Sequence, residues 1–256
     1  MTVIAFTSAK GAPGVSTVVL GLGAVWTQTQ PERRVLVVEA DPAGGEAAVG
    51  LLQGRVDASR GLLALAALRG VDPVTSLWGQ LIALDEAQRH LLLLGVADPG
   101  RGAALDGAWT ALGEAVTILR SDAPDLDVLL DLGRLGQAHD PRGLRRLPDL
   151  LVLVSGSSAA NVVATRAAAS RLRDESPTRL GLLVVGPDRP YPATQIADAC
   201  GLDLVGSLPH DPTGARAWQG LDDGWRTRRS TLARGVRGLC RDLATIEPLA
   251  QTGGAA

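Results

Sequence analysis

The feature that most constrains the fold of this chain is an alternation of short apolar runs with helix-length segments. Seven runs rich in valine and leucine recur: Val3–Ser8, Arg34–Asp41, Leu91–Val96, Leu126–Leu132, Leu150–Ser155, Leu180–Val185 and Leu204–Leu208. Strands that are apolar on both faces belong in parallel sheets with helices on either side. The alternation therefore predicts an α/β fold, in which about seven mostly parallel strands form a doubly wound sheet between two helical layers.

Helical spacing of apolar residues fills the segments between these runs. We predict helices over Ser16–Thr27, Arg60–Arg69, Leu105–Arg120, Ala159–Arg173, Tyr191–Cys200 and Ser230–Thr245. The last of these most simply packs on the sheet, although its interspersed arginines also allow a helix that lies on a membrane surface. We expect one domain over residues 1–246 and a disordered tail over 247–256.

Composition narrows the possible partners and compartments. Hydrophobic residues make up 46% of the chain, charged residues 20%, and the formal net charge is −2, so no global field favours nucleic acid or an anionic membrane. The two cysteines, Cys200 and Cys240, are too far apart in sequence to suggest a disulfide framework. The apolar run Val18–Trp26 is too short to span a bilayer, and no basic segment precedes it as in a signal peptide. We therefore expect a cytoplasmic protein.

Lysine usage singles out one position. The chain has 25 lysine and arginine residues in total, and only Lys10 is a lysine. Where arginine has replaced lysine almost everywhere, a surviving lysine marks a place that needs a compact ammonium group, unless it survived by chance.

Lys10 opens a glycine-rich loop between the first predicted strand and the first helix, Lys10-Gly11-Ala12-Pro13-Gly14-Val15-Ser16-Thr17. Such a loop points backbone N–H groups at phosphate, and the helix N-terminus adds positive potential. In the general motif a lysine reaches the β- and γ-phosphates and the next hydroxyl holds magnesium. Here Val15 occupies the lysine position and Ser16 the magnesium position, so the general motif alone leaves an ordinary tight turn as the alternative.

With its early lysine, the loop resembles the K-G-G-x-G-K-S/T variant, or deviant Walker A motif, of the ParA/MinD family. The resemblance runs in order from about Thr2 to Thr245. It implies a P-loop NTPase fold that dimerises face to face across two ATP molecules, with Lys10 crossing to the partner's phosphates and the whole loop binding nucleotide. Replacement of the second lysine by an apolar residue further resembles the CpaE/TadZ branch, which localises pilus-assembly machinery.

Further positions match the family's pattern. Asp41 matches the carboxylate that orients the attacking water, and Asp131 matches the one that holds magnesium through a water, with Ser16 as the other ligand. The alternative for Asp131 is an acid that caps a strand end. Pro209, His210 and Asp211 match the loop that wraps adenine. Many relatives have an asparagine that recognises adenine after the strand corresponding to Leu180–Val185. This chain has Gly186-Pro187-Asp188 there, so it departs from the pattern for adenine recognition.

The leading hypothesis is an ATP-binding and magnesium-binding, dimerising switch that positions a cargo in chromosome or plasmid partitioning, cell division, or pilus or secretion assembly. Hydrolysis is expected to be weak or absent, because Val15 cannot neutralise phosphate charge. A protein partner is expected, DNA and a membrane surface stay open, and the arginine-rich stretch 134–146 is a switch, a partner surface or a solvated loop. The alternatives are a pseudo-ATPase scaffold without nucleotide turnover and a metabolic enzyme on the same fold.

Overall fold

The computed structural model describes residues 1–11, 14–56, 60–68, 70–175, 178–187, 190–218, 220 and 229–246. Ala12 and Pro13 of the glycine-rich loop and the predicted tail 247–256 lie outside the described residues. The strands are β1 (Val3–Ser8), β2 (Arg34–Glu39), β3 (Ile82–Ala83), β4 (His90–Leu93), β5 (Leu126–Arg134), β6 (Leu150–Gly156), β7 (Arg179–Val185) and β8 (Asp203–Leu208). The α-helices are α1 (Val15–Thr29), α2 (Leu62–Ala67), α3 (Pro73–Gln80), α4 (Asp106–Asp122), α5 (Ala159–Glu175), α6 (Ala193–Cys200), α7 (Pro212–Ala215) and α8 (Thr231–Leu243).

The strands form one eight-stranded sheet in the order β3-β4-β2-β5-β1-β6-β7-β8. Every neighbouring pair is parallel except β3 with β4, so the predicted mostly parallel α/β fold is confirmed. Helices cover both faces of the sheet. Along β2, Leu36 and Val38 face one apolar core while Val35 and Val37 face the other. Burial on both faces explains why the strand is apolar throughout.

The extra strand β3 was not predicted, because two residues are too few to show a period. It pairs antiparallel with β4 at the sheet edge. Asp85 holds the connecting turn by accepting hydrogen bonds from the backbone N–H groups of Arg89 (2.8 Å) and His90 (3.0 Å). The sheet therefore has eight strands rather than about seven.

All six predicted helices are present, with ends shifted by a few residues, but α3 and α7 were missed. Helix α3 begins with a recognisable signal, since Pro73 occupies its first turn and Asp72 accepts a 2.7 Å hydrogen bond from the Thr75 N–H. Leu77 is its one buried apolar side chain, so its sequence carries no repeated apolar stripe.

The last helix, α8, packs against the sheet and α1, as predicted. Its apolar residues Leu232, Val236, Leu239 and Leu243 are buried in the same core as α1. The Cys240 Sγ lies 2.8 Å from the Thr29 hydroxyl of α1, and both cysteines are free. Among the described residues, none of the helices combines the length and apolar character required to cross a bilayer.

A buried aspartate fixes the amino end of β5, the strand that carries Asp131. Asp127 accepts hydrogen bonds from the Thr2 N–H (2.8 Å) of the chain start and from the Trp26 indole N–H (3.0 Å) of α1. It also forms a salt bridge with Arg33. These bonds tie β5 to the segments on both sides of the glycine-rich loop.

Candidate functional site

The largest group of polar residues singled out by the sequence lies at the carboxyl ends of β1, β2 and β5. Strand β1 stands between β5 and β6, where the chain order along the sheet reverses, and ligands of open α/β sheets bind at such switch points. A cleft of about 420 Å³ opens there. It is lined by Ser8, Gly11, Gly14, Val15, Ser16, Thr17, Asp41, Ala43, Glu46, Gly133, Arg134 and Gln137. The fold thus brings the described part of the loop beside Asp41. It also brings the loop beside the carboxyl end of β5, the strand that carries Asp131.

The glycine-rich loop ends in a left-handed turn at Gly14. This residue has φ of 104° and directly precedes α1, a conformation that favours glycine. The first helical hydrogen bond runs from the Val18 N–H to the Gly14 carbonyl (2.8 Å). The N–H groups of the first helical turn, at Val15, Ser16 and Thr17, therefore have no helical partner, and these three residues line the cleft. The turn carries no acidic residue, so the positive end of the helix dipole is not neutralised from within the helix.

The two residues that carry the family's lysine positions differ in burial. Val15 is 6% exposed and belongs to the apolar core of α1, so the position of the usual phosphate-binding lysine contributes packing and no charge. Lys10 is exposed and is not among the residues that line the cleft. Within the described part of the chain it forms no ion pair. The chain's own cleft therefore receives no lysine.

Asp131 lies deepest in the site. It pairs in register with Phe6 of β1 and Glu39 of β2, and it is 3% exposed. Its carboxylate accepts a 2.9 Å hydrogen bond from the Gly133 N–H, and the nearby Ser16 hydroxyl also favours its charged form. Burial raises the pKa of Asp131 to about 7, because desolvation outweighs the stabilisation of the carboxylate by Ser16 and Gly133, and the charges of Asp41 and Glu39 add to the shift.

The donor set of this pair suits a small divalent cation. A carboxylate and a hydroxyl are hard oxygen ligands, and magnesium is usually held by few protein ligands with water completing its shell. Ser16 and Asp131 therefore fit a magnesium site below the phosphate-binding turn.

Asp41 is held against the end of β5. Its carboxylate accepts hydrogen bonds from the Ala43 N–H (2.8 Å) and from the Gln137 side-chain amide (3.1 Å). Gly133 has φ of 61°, and a Cβ atom added to it would lie 2.1 Å from the Asp41 Cγ. Only glycine allows this approach, which brings the second acidic residue to the cleft wall.

Two residues that the sequence reasoning did not assign position this wall. Gln137 donates both to Asp41 and to the Arg134 carbonyl (3.0 Å). Glu39, 3% exposed, accepts hydrogen bonds from the Ala47 N–H (2.9 Å) and the Gly95 N–H (3.2 Å), and burial raises its pKa. Through its bond to Ala47, Glu39 fixes the position of the loop that follows β2. The sequence shows Glu39 two residues before Asp41. It does not show the contacts of Glu39 with Gly95 or of Gln137 with Asp41, because these residues are far apart in the chain.

A second, more apolar cavity of about 280 Å³ adjoins the cleft at Gly14 and Thr17. Its other lining residues are Val18, Val185, Leu208, Pro209, His210, Asp211, Pro212, Ala215 and Leu232. The three residues predicted to wrap adenine thus lie together beside the glycine-rich loop.

The carboxylate of Asp211 is already engaged within the protein. It caps α7 by accepting from the Gly214 N–H (2.8 Å), and it also accepts from the Thr231 hydroxyl (3.1 Å) at the start of α8. The Gly214 N–H is the main reason that the pKa of Asp211 is lowered. Asp211 therefore shapes the loop that carries Pro209 and His210.

Gly186 lies next to this cavity, since it directly follows Val185, which lines it. Its N–H donates to the Leu208 carbonyl (2.8 Å), and its φ is 67°. A Cβ atom at this position would lie 3.2 Å from the His210 Cβ, so the glycine leaves His210 room that a side chain would reduce. Asp188, named with Gly186 in the departure from the family pattern, lies outside the described residues.

A glycine turn that opens a helix at the switch point of a parallel sheet, facing a hydroxyl and a carboxylate, defines the P-loop class of α/β folds. Solved structures of this class match the chain over nearly its whole length. A ParA family ATPase from Chlorobium tepidum TLS is 17% identical, with 93% of this chain and 98% of that chain covered and a TM-score of 0.76. The septum site-determining protein MinD of Pyrococcus horikoshii OT3, complexed with Mg-ADP, is 19% identical, with 95% and 96% covered and a TM-score of 0.72.

An ATP complex of McdA from Cyanothece is 16% identical, with 98% and 99% covered and a TM-score of 0.64. The chain therefore has the fold of the MinD and ParA ATPases, as the resemblance implied. No family model and no curated protein sequence matches it.

Proposed function

We propose that this chain is a ParA/MinD-like switch, which binds ATP with magnesium, dimerises when ATP is bound and positions a cellular cargo. The observation that carries the proposal is the placement of Ser16 at the start of α1, in a cleft of about 420 Å³, with the buried carboxylate of Asp131 hydrogen-bonded to Gly133 of the same cleft. A turn with free N–H groups and a hard oxygen pair beside it are the two halves of a magnesium-nucleotide site. The Mg-ADP complex of MinD and the ATP complex of McdA support this choice of ligand.

Each part of the cleft has a distinct role in this proposal. The backbone of the loop from Lys10 to Thr17 binds phosphate, and Ser16 and Asp131 hold magnesium, Asp131 through a water. The metal supplies charge neutralisation on the phosphates when it is bound. Asp41, oriented by Gln137, accepts a hydrogen bond from the attacking water. Pro209 and His210 flank the nucleoside in the adjoining cavity, in a loop whose shape Asp211 maintains.

Lys10 acts on the second protomer in this scheme. Because it is exposed and lies outside its own cleft, its ammonium group is free to reach the phosphates of a partner in a face-to-face dimer. Val15 adds no charge in cis, so we expect weak binding by the monomer and slow or absent hydrolysis. Binding and dimerisation are then coupled.

A second candidate function is a pseudo-ATPase scaffold that binds protein partners without nucleotide turnover. The packing of Val15 into the core and the absence of an amide at Gly186 favour it. In either case the cargo is a protein assembly such as pilus machinery, as in the CpaE/TadZ branch, or DNA, and the protein is cytoplasmic or peripheral at the membrane.

Sedimentation velocity with MgATP, with MgADP and without nucleotide separates the two functions, with phosphate release measured in parallel. The switch predicts a dimer with MgATP alone and slow release of phosphate. A scaffold predicts the same oligomeric state in all three conditions. Rapid phosphate release that persists in Lys10→Ala would contradict the proposed role of Lys10.

A further inference from the structure

The charges that line the cleft are unevenly distributed. Asp41 and Glu46 line it, and the buried carboxylate of Asp131 accepts a hydrogen bond from the N–H of Gly133, another lining residue. Among the described lining residues, Arg134 is the one cation. A nucleoside polyphosphate carries several negative charges, and one magnesium ion neutralises only part of them. A cleft walled by carboxylates therefore needs a further cation to hold such a ligand.

The backbone of Arg134 is fixed at the foot of the glycine-rich loop. It is the last residue of β5 and pairs in register with Ser8, the last residue of β1. The next residue, Leu135, donates its N–H to the Ser8 carbonyl (2.8 Å), and Gln137 donates to the Arg134 carbonyl (3.0 Å). The same Gln137 amide holds Asp41, so the position of Arg134 is coupled to the acidic wall.

The side chain of Arg134 is uncommitted. It is exposed at the cleft, and no described residue forms an ion pair or a hydrogen bond with its guanidinium group. In the stretch that follows, Arg145 is by contrast paired with Asp140 and Glu175. An arginine that merely balanced the nearby acids would be paired with one of them.

We propose that Arg134 is the cation that contacts the nucleotide phosphates in cis, in place of the lysine that Val15 replaces. The proposal rests on the proposed function. It adds the residue that supplies positive charge to the phosphates from the same chain that binds them. Guanidinium groups bind phosphate through two parallel charge-assisted hydrogen bonds, which suits an arginine better than a lysine at an open cleft wall. Arg134 then acts on its own nucleotide, and Lys10 acts on that of the partner.

Titration calorimetry with MgADP tests this proposal, because ADP is not expected to induce the dimer and so excludes a contribution from Lys10 in trans. We expect Arg134→Gln to weaken MgADP binding by about tenfold or more, as for the loss of charged hydrogen bonds. Arg134→Lys is expected to retain part of the affinity. Arg166→Gln, at an exposed position of α5 outside the cleft, is expected to bind like wild type.

The outcomes separate the two claims. Wild-type affinity in Arg134→Gln would overturn the role of Arg134 and leave the proposed function standing. A wild-type protein that binds no MgADP would overturn the proposed function and this inference with it. Thermal unfolding of each apo variant checks the fold, and an Arg134→Lys affinity no higher than that of Arg134→Gln at equal stability would also contradict the phosphate contact.

Discussion

Val15 begins α1 with its side chain 6% exposed in the core, at the position where the general motif has a lysine. Val15→Lys places an ammonium group at this position, which is unfavourable without an anion nearby. We expect the apo variant to unfold at a lower temperature than wild type. Nucleotide should restore its stability, because the new lysine reaches the phosphates, and MgATP affinity should rise by about tenfold.

Thermal unfolding and calorimetry, each with and without MgATP, measure both effects. Val15→Ala is the matched control, since it removes packing without adding charge and should lose stability with no gain in affinity. If Val15→Lys bound MgATP no better than Val15→Ala, the cleft would not place phosphate beside the start of α1.

The raised pKa of Asp131 predicts how the stability of the protein depends on pH. Its pKa is about 7 in the folded, metal-free protein and near 3.8 in the unfolded chain, so the folded state binds more protons between these values. The contribution of Asp131 to stability is therefore complete below about pH 4 and is lost as the pH rises through 7. Relative to Asp131→Asn, wild type should lose about 2–4 kcal/mol of unfolding free energy over this range.

Urea unfolding in EDTA at a series of pH values measures this difference. The comparison with Asp131→Asn cancels groups such as Asp125, whose pKa is lowered by its hydrogen bond to Arg34 and which acts in the opposite direction. A stability difference between the two proteins that does not change with pH would contradict the raised pKa.

At the level of secondary structure elements, two aspartates at the amino end of β5 are expected to contribute differently to stability. Asp127 is buried and holds Thr2, Trp26 and Arg33, whereas Asp125 is 48% exposed and pairs with Arg34 at the surface. We expect Asp127→Ala to cost about 2–3 kcal/mol, because buried donors lose their acceptor. Asp125→Ala should cost no more than about 1 kcal/mol. Equal losses in urea unfolding would show that the buried network does not fix β5.

The sequence pattern was sufficient for the long elements. The seven apolar runs and six helical patterns all correspond to elements of the structure, because burial on two faces or on one stripe imposes a clear period. The edge strand β3 was missed because two residues show no period. Helix α3 was missed because Leu77 is its one buried apolar side chain, and a single position shows no period either.

The site was only partly predictable for a related reason. The glycine-rich loop and the acidic residues Asp41 and Asp131 are marked by local context, a turn or an apolar strand that ends on a carboxylate. The contacts of Glu39, Gln137 and Arg134 depend on which strand ends are neighbours in the sheet. A single sequence contains no such information until the strand order is known.

At the level of the whole molecule, we expect Lys10 to affect the formation of the dimer and not the binding of nucleotide by the monomer. We expect Lys10→Ala to bind MgADP like wild type, while its MgATP-dependent dimer weakens by about tenfold or more, because a charged contact across the interface is lost. Sedimentation velocity over a concentration series measures the dimer affinity. Lys10→Arg retains the charge as a control, and a Lys10→Ala dimer as stable as that of wild type would exclude the contact in trans.

The switch and the scaffold differ most directly in whether the cleft holds a magnesium nucleotide although Val15 replaces the lysine. The decisive measurement is a calorimetric titration of the wild-type protein with ATP, with magnesium and with EDTA, in parallel with its oligomeric state. We predict saturable, magnesium-dependent binding at submillimolar to millimolar ATP, accompanied by a dimer, and loss of both in Asp131→Ala. No binding at millimolar ATP and no dimer would contradict the switch and leave the scaffold function.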